Sequence, residues 1–228
     1  MLMHRAEPAL DTEPPVGAVP RNLLRDAVFS RLLSSILRGE YRRGQRLRLD
    51  TIATDMRVSR TPVREALVPL ETLRLVHVQR YVGVIIANWG VENMVERLRI
   101  IQNMLDVPAD AIAQGQSGDR FDPSWVRDCL SEVGVFCVVA EWLLRRLARP
   151  VSADWIVSQR PALDMFYTSG VAQVHGIDMS VGAGERAELL MSMQAGAVEG
   201  DLRRVLLALD AFADGIAEVQ LRFRPSPR

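Results

Sequence analysis

Lysine is absent from this chain of 228 residues, and cysteine and histidine are scarce, with two and three copies. Every cationic contact the protein makes must therefore come from a guanidinium; we attribute the missing lysine to coding bias. Cys129 and Cys137 lie eight residues apart with no second pair near them, which supports neither a disulfide framework nor a zinc knuckle. Long apolar runs are missing too. Nothing approaches the eighteen or so residues of a membrane-spanning helix, and no charged, apolar, small-residue succession of a secretion signal opens the chain, so a cytoplasmic protein without a membrane partner is expected. No G-x-S-x-G, H-E-x-x-H or phosphate-cradling glycine loop occurs, and none of the expected roles is enzymatic. Cys137 with His175 is conceivable as a dyad, but a cysteine between Phe136 and Val138 on an apolar helix reads as core.

A hydrophobic content of 48% suffices for real cores, and the net charge is zero. The distribution of charge is more telling than its sum. From Arg21 to Asn88 there are thirteen arginines and six acids, whereas from Trp89 to Arg228 there are fourteen arginines and nineteen acids. A basic module is joined to an acidic one, and the basic one suits a nucleic acid. We expect three parts: a tail over residues 1–20, rich in proline and without apolar periodicity; a DNA-binding domain over 21–88; and a helical domain over 89–228.

Within the basic part, Leu24, Val28, Leu32, Ser35 and Ile36 recur at helical spacing, and Gly39 ends that helix. A basic turn follows with Arg42, Arg43, Arg46 and Arg48. A short helix from about Asp50 to Met56 is joined through Arg57 and Val58 to a helix starting at Ser59, a good N-cap, with Pro62 tolerated in the first turn. Val63, Ala66, Leu67 and Leu70 form its buried stripe, which leaves Arg60, Thr61 and Arg64 outside. The pattern then alternates through Val76 and Val78, turns through Arg80, Tyr81 and Gly83, and returns through Val84 and Ile86, as a hairpin does. The fold class expected is mainly α: a winged helix-turn-helix followed by an all-α antiparallel bundle of about six helices.

The string VSRTPVREAL at residues 58–67 resembles the recognition helix of the GntR family of bacterial transcription regulators. Ile36 to Gly39, the Gly44-Gln45-Arg46-Leu47 turn, Leu75-Val76 and the glycine at Gly83 extend the resemblance over about seventy residues. It implies DNA contacts from Ser59, Arg60, Thr61 and Arg64 in the helix and from Arg80 and Tyr81 in the wing beside Gly83, with Arg42, Arg43, Arg46 and Arg48 set for phosphates. It also implies a homodimer on an inverted repeat in double-stranded DNA. Where relatives often carry arginine early in the second helix, this chain has Asp50, which would repel a phosphate and shift one backbone contact to Arg46 or Arg48.

The second half is similar to the FadR-type (FCD) subgroup in ERLRIIQ at residues 96–102, VFCVVAE at 135–141 and ERAELLMSMQAG at 185–196. That subgroup pairs chains and holds a small effector, in many members through a metal bound by an Asp and three His. Here Val133 stands at the Asp position, Cys137 and Arg186 at two of the His positions, and the third falls near Ala211 or Phe212. No metal and no other cofactor is expected. Arg186 in place of a ligand suggests direct attraction of an organic acid, in a cavity with Arg99 and Cys137. Two alternatives stay open: the arginines pair with bundle acids such as Glu96, Glu185 or Glu188, and the helical domain only dimerises and binds no effector. Trp142 and Trp155 read as core or dimer-face residues. Asp122-Pro123, Ser152 and Pro161 are expected to open, cap, and kink or divide helices of this half.

Overall fold

The computed structural model describes residues 21–79, 83–108 and 119–221. Its first half comprises α1 (Arg21–Leu37), β1 (Arg46–Leu47), α2 (Leu49–Asp55), α3 (Arg60–Thr72), β2 (Val76–Gln79) and β3 (Gly83–Ile86). The second half holds α4 (Val91–Met104), a 3-10 turn (Pro123–Val126), α5 (Glu132–Arg146), α6 (Pro150–Phe166), the single turn α7 (Ser169–Ala172), a further 3-10 turn (Gln173–His175), α8 (Ala183–Glu199) and α9 (Leu202–Leu221). The expected class, a winged helix-turn-helix followed by a helical region, is the one observed. The hairpin gains a third strand that alternation could not show. β1 is two residues long and pairs antiparallel with β3, Arg46 opposite Ile85 and Leu47 opposite Val84, giving the order β1-β3-β2. The basic turn thereby becomes part of the sheet.

Helix ends in this chain are set by backbone more than by glycine. Arg57, Arg74 and Ala148 all have left-handed φ, of 55°, 55° and 54°. Each sits one residue beyond a helix cap and closes a paired return of amides: Val58 to the Ala53 carbonyl and Arg57 to Thr54, Leu75 to Leu70 and Arg74 to Glu71, Arg149 to Leu144 and Ala148 to Arg145. These bonds satisfy carbonyls that a helix terminus leaves open. At the ends of α1 and α8 the left-handed residue is instead a glycine, Gly39 with φ 74° and Gly200 with φ 82°, the residue type that marks such a turn in sequence.

In the second half, α6 lies along α5 and α9 along α8. Phe136 of α5 stacks on Phe212 of α9 with ring centroids 5.4 Å apart. Asp164, buried on α6, reaches the start of α5 and accepts from the Ser131 amide (2.8 Å), the Ser131 hydroxyl (3.0 Å) and the Leu130 amide (3.0 Å). A carboxylate there meets both orphan N–H groups and the positive helix end. Gly134 makes this approach possible: a Cβ on it would stand 2.1 Å from Asp164 Oδ1. Asp122 accepts from the Ser124 amide as expected, but opens a 3-10 turn. The next helix begins at Pro150 with Arg149 at its N-cap, so Ser152 is inside it and caps nothing, and it continues through Pro161 to Phe166 undivided. No described helix is long and apolar enough to cross a membrane.

The two halves meet through helix ends. His175 Nε2 donates to the Leu37 carbonyl, the last of α1, over 2.6 Å, and its ring lies against Trp89 and Phe166, with centroids at 5.6 and 5.2 Å. Arg97 of α4 donates from Nη2 to the Leu73 carbonyl at the end of α3, over 2.5 Å. Burial lowers the pKa of this arginine, with Glu96 opposing. Two side chains of the helical half thus satisfy terminal carbonyls of two helices in the first.

Candidate nucleic-acid interface

Helix α3 forms where VSRTPVREAL places it. Ser59 is the N-cap residue with extended backbone (φ −72°, ψ 168°), yet its hydroxyl makes no cap bond, a departure from the expected role. The first-turn amides are left without that partner, and no acid lies in the first turn, so the positive end of α3 is not neutralised by its own helix. Pro62, Val63, Ala66, Leu67 and Leu70 are buried, while Ser59, Arg60, Thr61 and Arg64 are exposed. The stripe read from sequence and the exposed edge opposite it are therefore both present in the fold.

Arg42, Arg43, Arg46 and Arg48 are exposed as well. They stand on an ordered turn: the Arg42 amide donates to Gln45 Oε1 (2.8 Å), the Gln45 amide to the Arg42 carbonyl (2.9 Å), and Gly44 and Ile86 close onto each other's strand through Gly44 N–Ile86 O (2.9 Å) and Ile86 N–Gln45 O (3.0 Å). Gln45 is a positioning residue that sequence reading passed over, because nothing in its neighbours marks it. Glu71 is another. From the last turn of α3 its Oε1 accepts the Val78 amide (2.9 Å), fastening the recognition helix to the wing strand. Gly83 has φ 110°, and a Cβ on it would meet the Leu47 carbonyl at 3.2 Å, so the wing returns to the sheet only with glycine here. Arg80 and Tyr81, expected at the wing tip, lie outside the described residues.

Asp50 has a partner that the sequence did not indicate. In the first turn of α2, its carboxylate pairs with Arg60 Nε, both side chains remaining more than half exposed. The acid is engaged with an arginine of the recognition helix, so its charge is partly neutralised before any phosphate approaches.

The three residues expected to share an effector cavity have separate surroundings. Arg99 is exposed on α4. Cys137 is wholly buried, and burial pushes its thiol far above the usual range, with Asp164 adding to the effect. Arg186 is 2% exposed and its fork is already used: Nε on Glu132 (2.7 Å), Nη2 on the Met179 carbonyl (2.5 Å) and Nη1 on the Val181 carbonyl. With three of its five N–H groups bonded and the side chain buried, it holds a loop and two helices together and presents almost no surface to a ligand. Its acid partner is Glu132, not Glu185 or Glu188. Glu132 has a raised pKa because burial outweighs the attraction of Arg186. The described contacts of His175 are with the Leu37 carbonyl, Trp89 and Phe166, and none is with Cys137. Cys129 is half-buried and its thiol is pushed up to about 11, chiefly by burial. No group of three or more His, Cys, Asp and Glu arranged to hold a metal occurs among the described residues.

Residues 24–86 match the family model described as bacterial regulatory proteins, gntR family. A comparison with curated proteins finds no match. Among solved structures the chain is similar to Lar, which controls the expression of the Listeria monocytogenes agr system, with 16% identity over 88% of this chain and 98% of that one and a TM-score of 0.51. It is also similar to E. coli McbR/YncC, with 16% identity over 88% of this chain and 99% of that one and a TM-score of 0.49. The first likeness extends the shared fold beyond the winged helix into the helical half.

Proposed function

We propose that this chain, whose residues 24–86 match the gntR family model, is a transcription regulator that binds an inverted repeat as a homodimer and responds to a small organic acid through its helical half. The observation that carries the DNA reading is the exposed edge of α3, where Arg60 and Arg64 stand in the first two turns of a helix whose N-cap side chain makes no bond, beside four more exposed arginines between Arg42 and Arg48. In this reading α3 enters the major groove. Arg60 and Arg64 present planar forks to guanine edges, Ser59 and Thr61 meet the backbone or neighbouring bases, and Arg42, Arg43, Arg46 and Arg48 hold phosphates. The wing, with Arg80, Tyr81 and Gly83, reaches the adjoining minor groove. The domain division proposed is 21–88 for DNA and 89–228 for pairing and response, after a tail at 1–20. The place of action is the cytoplasm, where the DNA is.

The test is fluorescence anisotropy with fragments from the protein's own locus. Arg60→Ala costs roughly 1–3 kcal/mol on the specific site and relaxes base preference there, with little loss on random DNA. Equal loss on both would remove Arg60 from the base-reading set. The saturation of Arg186 favours a second reading, in which the helical half pairs chains and binds no effector. Sedimentation with and without organic acids, combined with the binding curves, separates the two.

A further inference from the structure

A cavity of about 570 Å³, within the usual range for small-ligand sites, opens between α5 and α6. Trp125, Val138, Glu141, Trp142, Arg145 and Arg160 line it, and the described residues of its wall carry three guanidiniums and two carboxylates. One side is aromatic. Trp142 meets Phe121 edge-on at 5.5 Å, and Phe121 meets Trp125 at 5.6 Å, so the rings brace one another. Trp125 at the end of this row keeps 45% of its surface exposed.

Arginines line the cavity as well: Arg146 lies over the Trp142 ring at 5.6 Å, and Arg145 and Arg160 differ in how tightly they hold acids. Arg145 donates to both Glu141 (3.1 Å) and Asp154 (2.9 Å). Arg160 approaches Glu141 at only 3.7 Å, an ion pair too long for a hydrogen bond, and its side chain is 38% exposed. A ligand carboxylate arriving at Arg160 therefore displaces one long contact and gains a bidentate one, while Glu141 keeps Arg145.

We propose that this cavity binds an aromatic monocarboxylate, its carboxylate on Arg160 and its ring on Trp125, and that occupancy is linked to DNA binding through α6. The proposal rests on the effector-controlled reading above and gives it a site other than the one expected at Arg99, Cys137 and Arg186. The linkage comes from α6 itself. Val157 lines this cavity and also a groove at the junction of the halves, where Ser158 and Pro161 of α6 face Arg25 and Phe29 of α1 and Leu73 at the end of α3. One rigid helix thus forms a wall of the ligand site and a wall against the DNA-binding half, so a shift in α6 on binding is felt by α1 and α3.

The test titrates the full chain with benzoate, and with neutral benzamide as the uncharged control, by isothermal calorimetry and by tryptophan fluorescence. Saturable benzoate binding is expected, at least about tenfold weaker for benzamide and for Arg160→Gln, and weakened also by Trp125→Leu, while Arg99→Ala binds as the parent does. Circular dichroism confirms that each variant is folded. Absence of saturable binding at about 10 mM benzoate, well above a millimolar Kd, overturns the site, as does undiminished affinity in both folded variants. Operator affinity is measured with and without benzoate on the same preparations. A change of several-fold in one direction, lost in Arg160→Gln, supports the linkage, and benzoate binding with unaltered operator affinity overturns it. A chain that binds benzoate but no DNA contradicts the regulator reading and leaves the site standing; one that binds DNA but not benzoate does the reverse.

Discussion

The arginines of the two halves differ in how far the fold engages them. In the winged helix they sit on a turn, a cap and the outer edge of α3, exposed, and the ion pairs described there, Arg25–Asp26 and Arg60–Asp50, lie on the surface. In the helical half Arg145, Arg160, Arg186 and Arg204 are drawn into pairs with Glu141, Asp154, Glu132 and Glu199. The contrast is sharpest between Arg60, held by an exposed acid, and Arg186, a buried fastener. What separates them is how many carboxylates the fold brings within reach, which follows from the acidic surplus after Trp89 and from the packing of helix on helix.

That contrast can be broken most severely at Arg186. Replacing it with Ala leaves Glu132 without its cation and two loop carbonyls unmet, and stability should fall by about 3–5 kcal/mol, the usual penalty for halving a buried pair. Chemical denaturation reads this directly. An unchanged midpoint together with lost response to organic acids would return Arg186 to the ligand-binding role its sequence position suggested. Arg60→Ala is the matching experiment in the first half, where the midpoint should not move while specific DNA binding weakens.

A smaller effect is expected at the junction. His175→Ala removes the hydrogen bond to Leu37 and ring contacts with Trp89 and Phe166, a loss of about 1–3 kcal/mol, and should raise hydrogen exchange in the last turn of α1 more than in α5. Uniform acceleration across both helices would show that His175 supports the whole fold and not the join.

The smallest change, and the one that sharpens the comparison most, is Asp50→Asn. An exposed pair contributes at most about 1 kcal/mol, so stability should hardly alter. If the carboxylate merely occupies Arg60 in the free protein, DNA affinity rises by up to about fivefold, more at low salt. A fall on the specific site alone would mean that Asp50 aims Arg60 at its base.

Much of the first half was legible in the sequence because its information is local. The string at residues 58–67 carries its own cap position, first-turn proline and buried stripe, and each sits where the pattern put it. β1 was not legible, since two residues have no periodicity and become a strand only by pairing with β3. The turns at Arg57, Arg74 and Ala148 were hidden for a related reason: a left-handed arginine or alanine is tolerated because the surrounding helices require the turn, not because the residue favours it.

Position in a family pattern also misled at particular places. Arg186 fell where relatives hold a ligand, and its charge suggested a bound anion. Only the approach of Glu132 from another helix, 54 residues away in the chain, shows that the anion is the protein's own. Nothing in the sequence singled out Asp164, which closes the start of α5 across a glycine.

Residue order alone determined the helix-turn-helix, the basic edge of its second helix and the division of charge between the halves, because helical period, capping and composition act over a few residues. Tertiary structure decided which arginines remain available, which carbonyls at helix ends are met across the junction, and where the helical half leaves a cavity. Those outcomes depend on side chains brought together from distant segments, and distance along the chain carries no record of that.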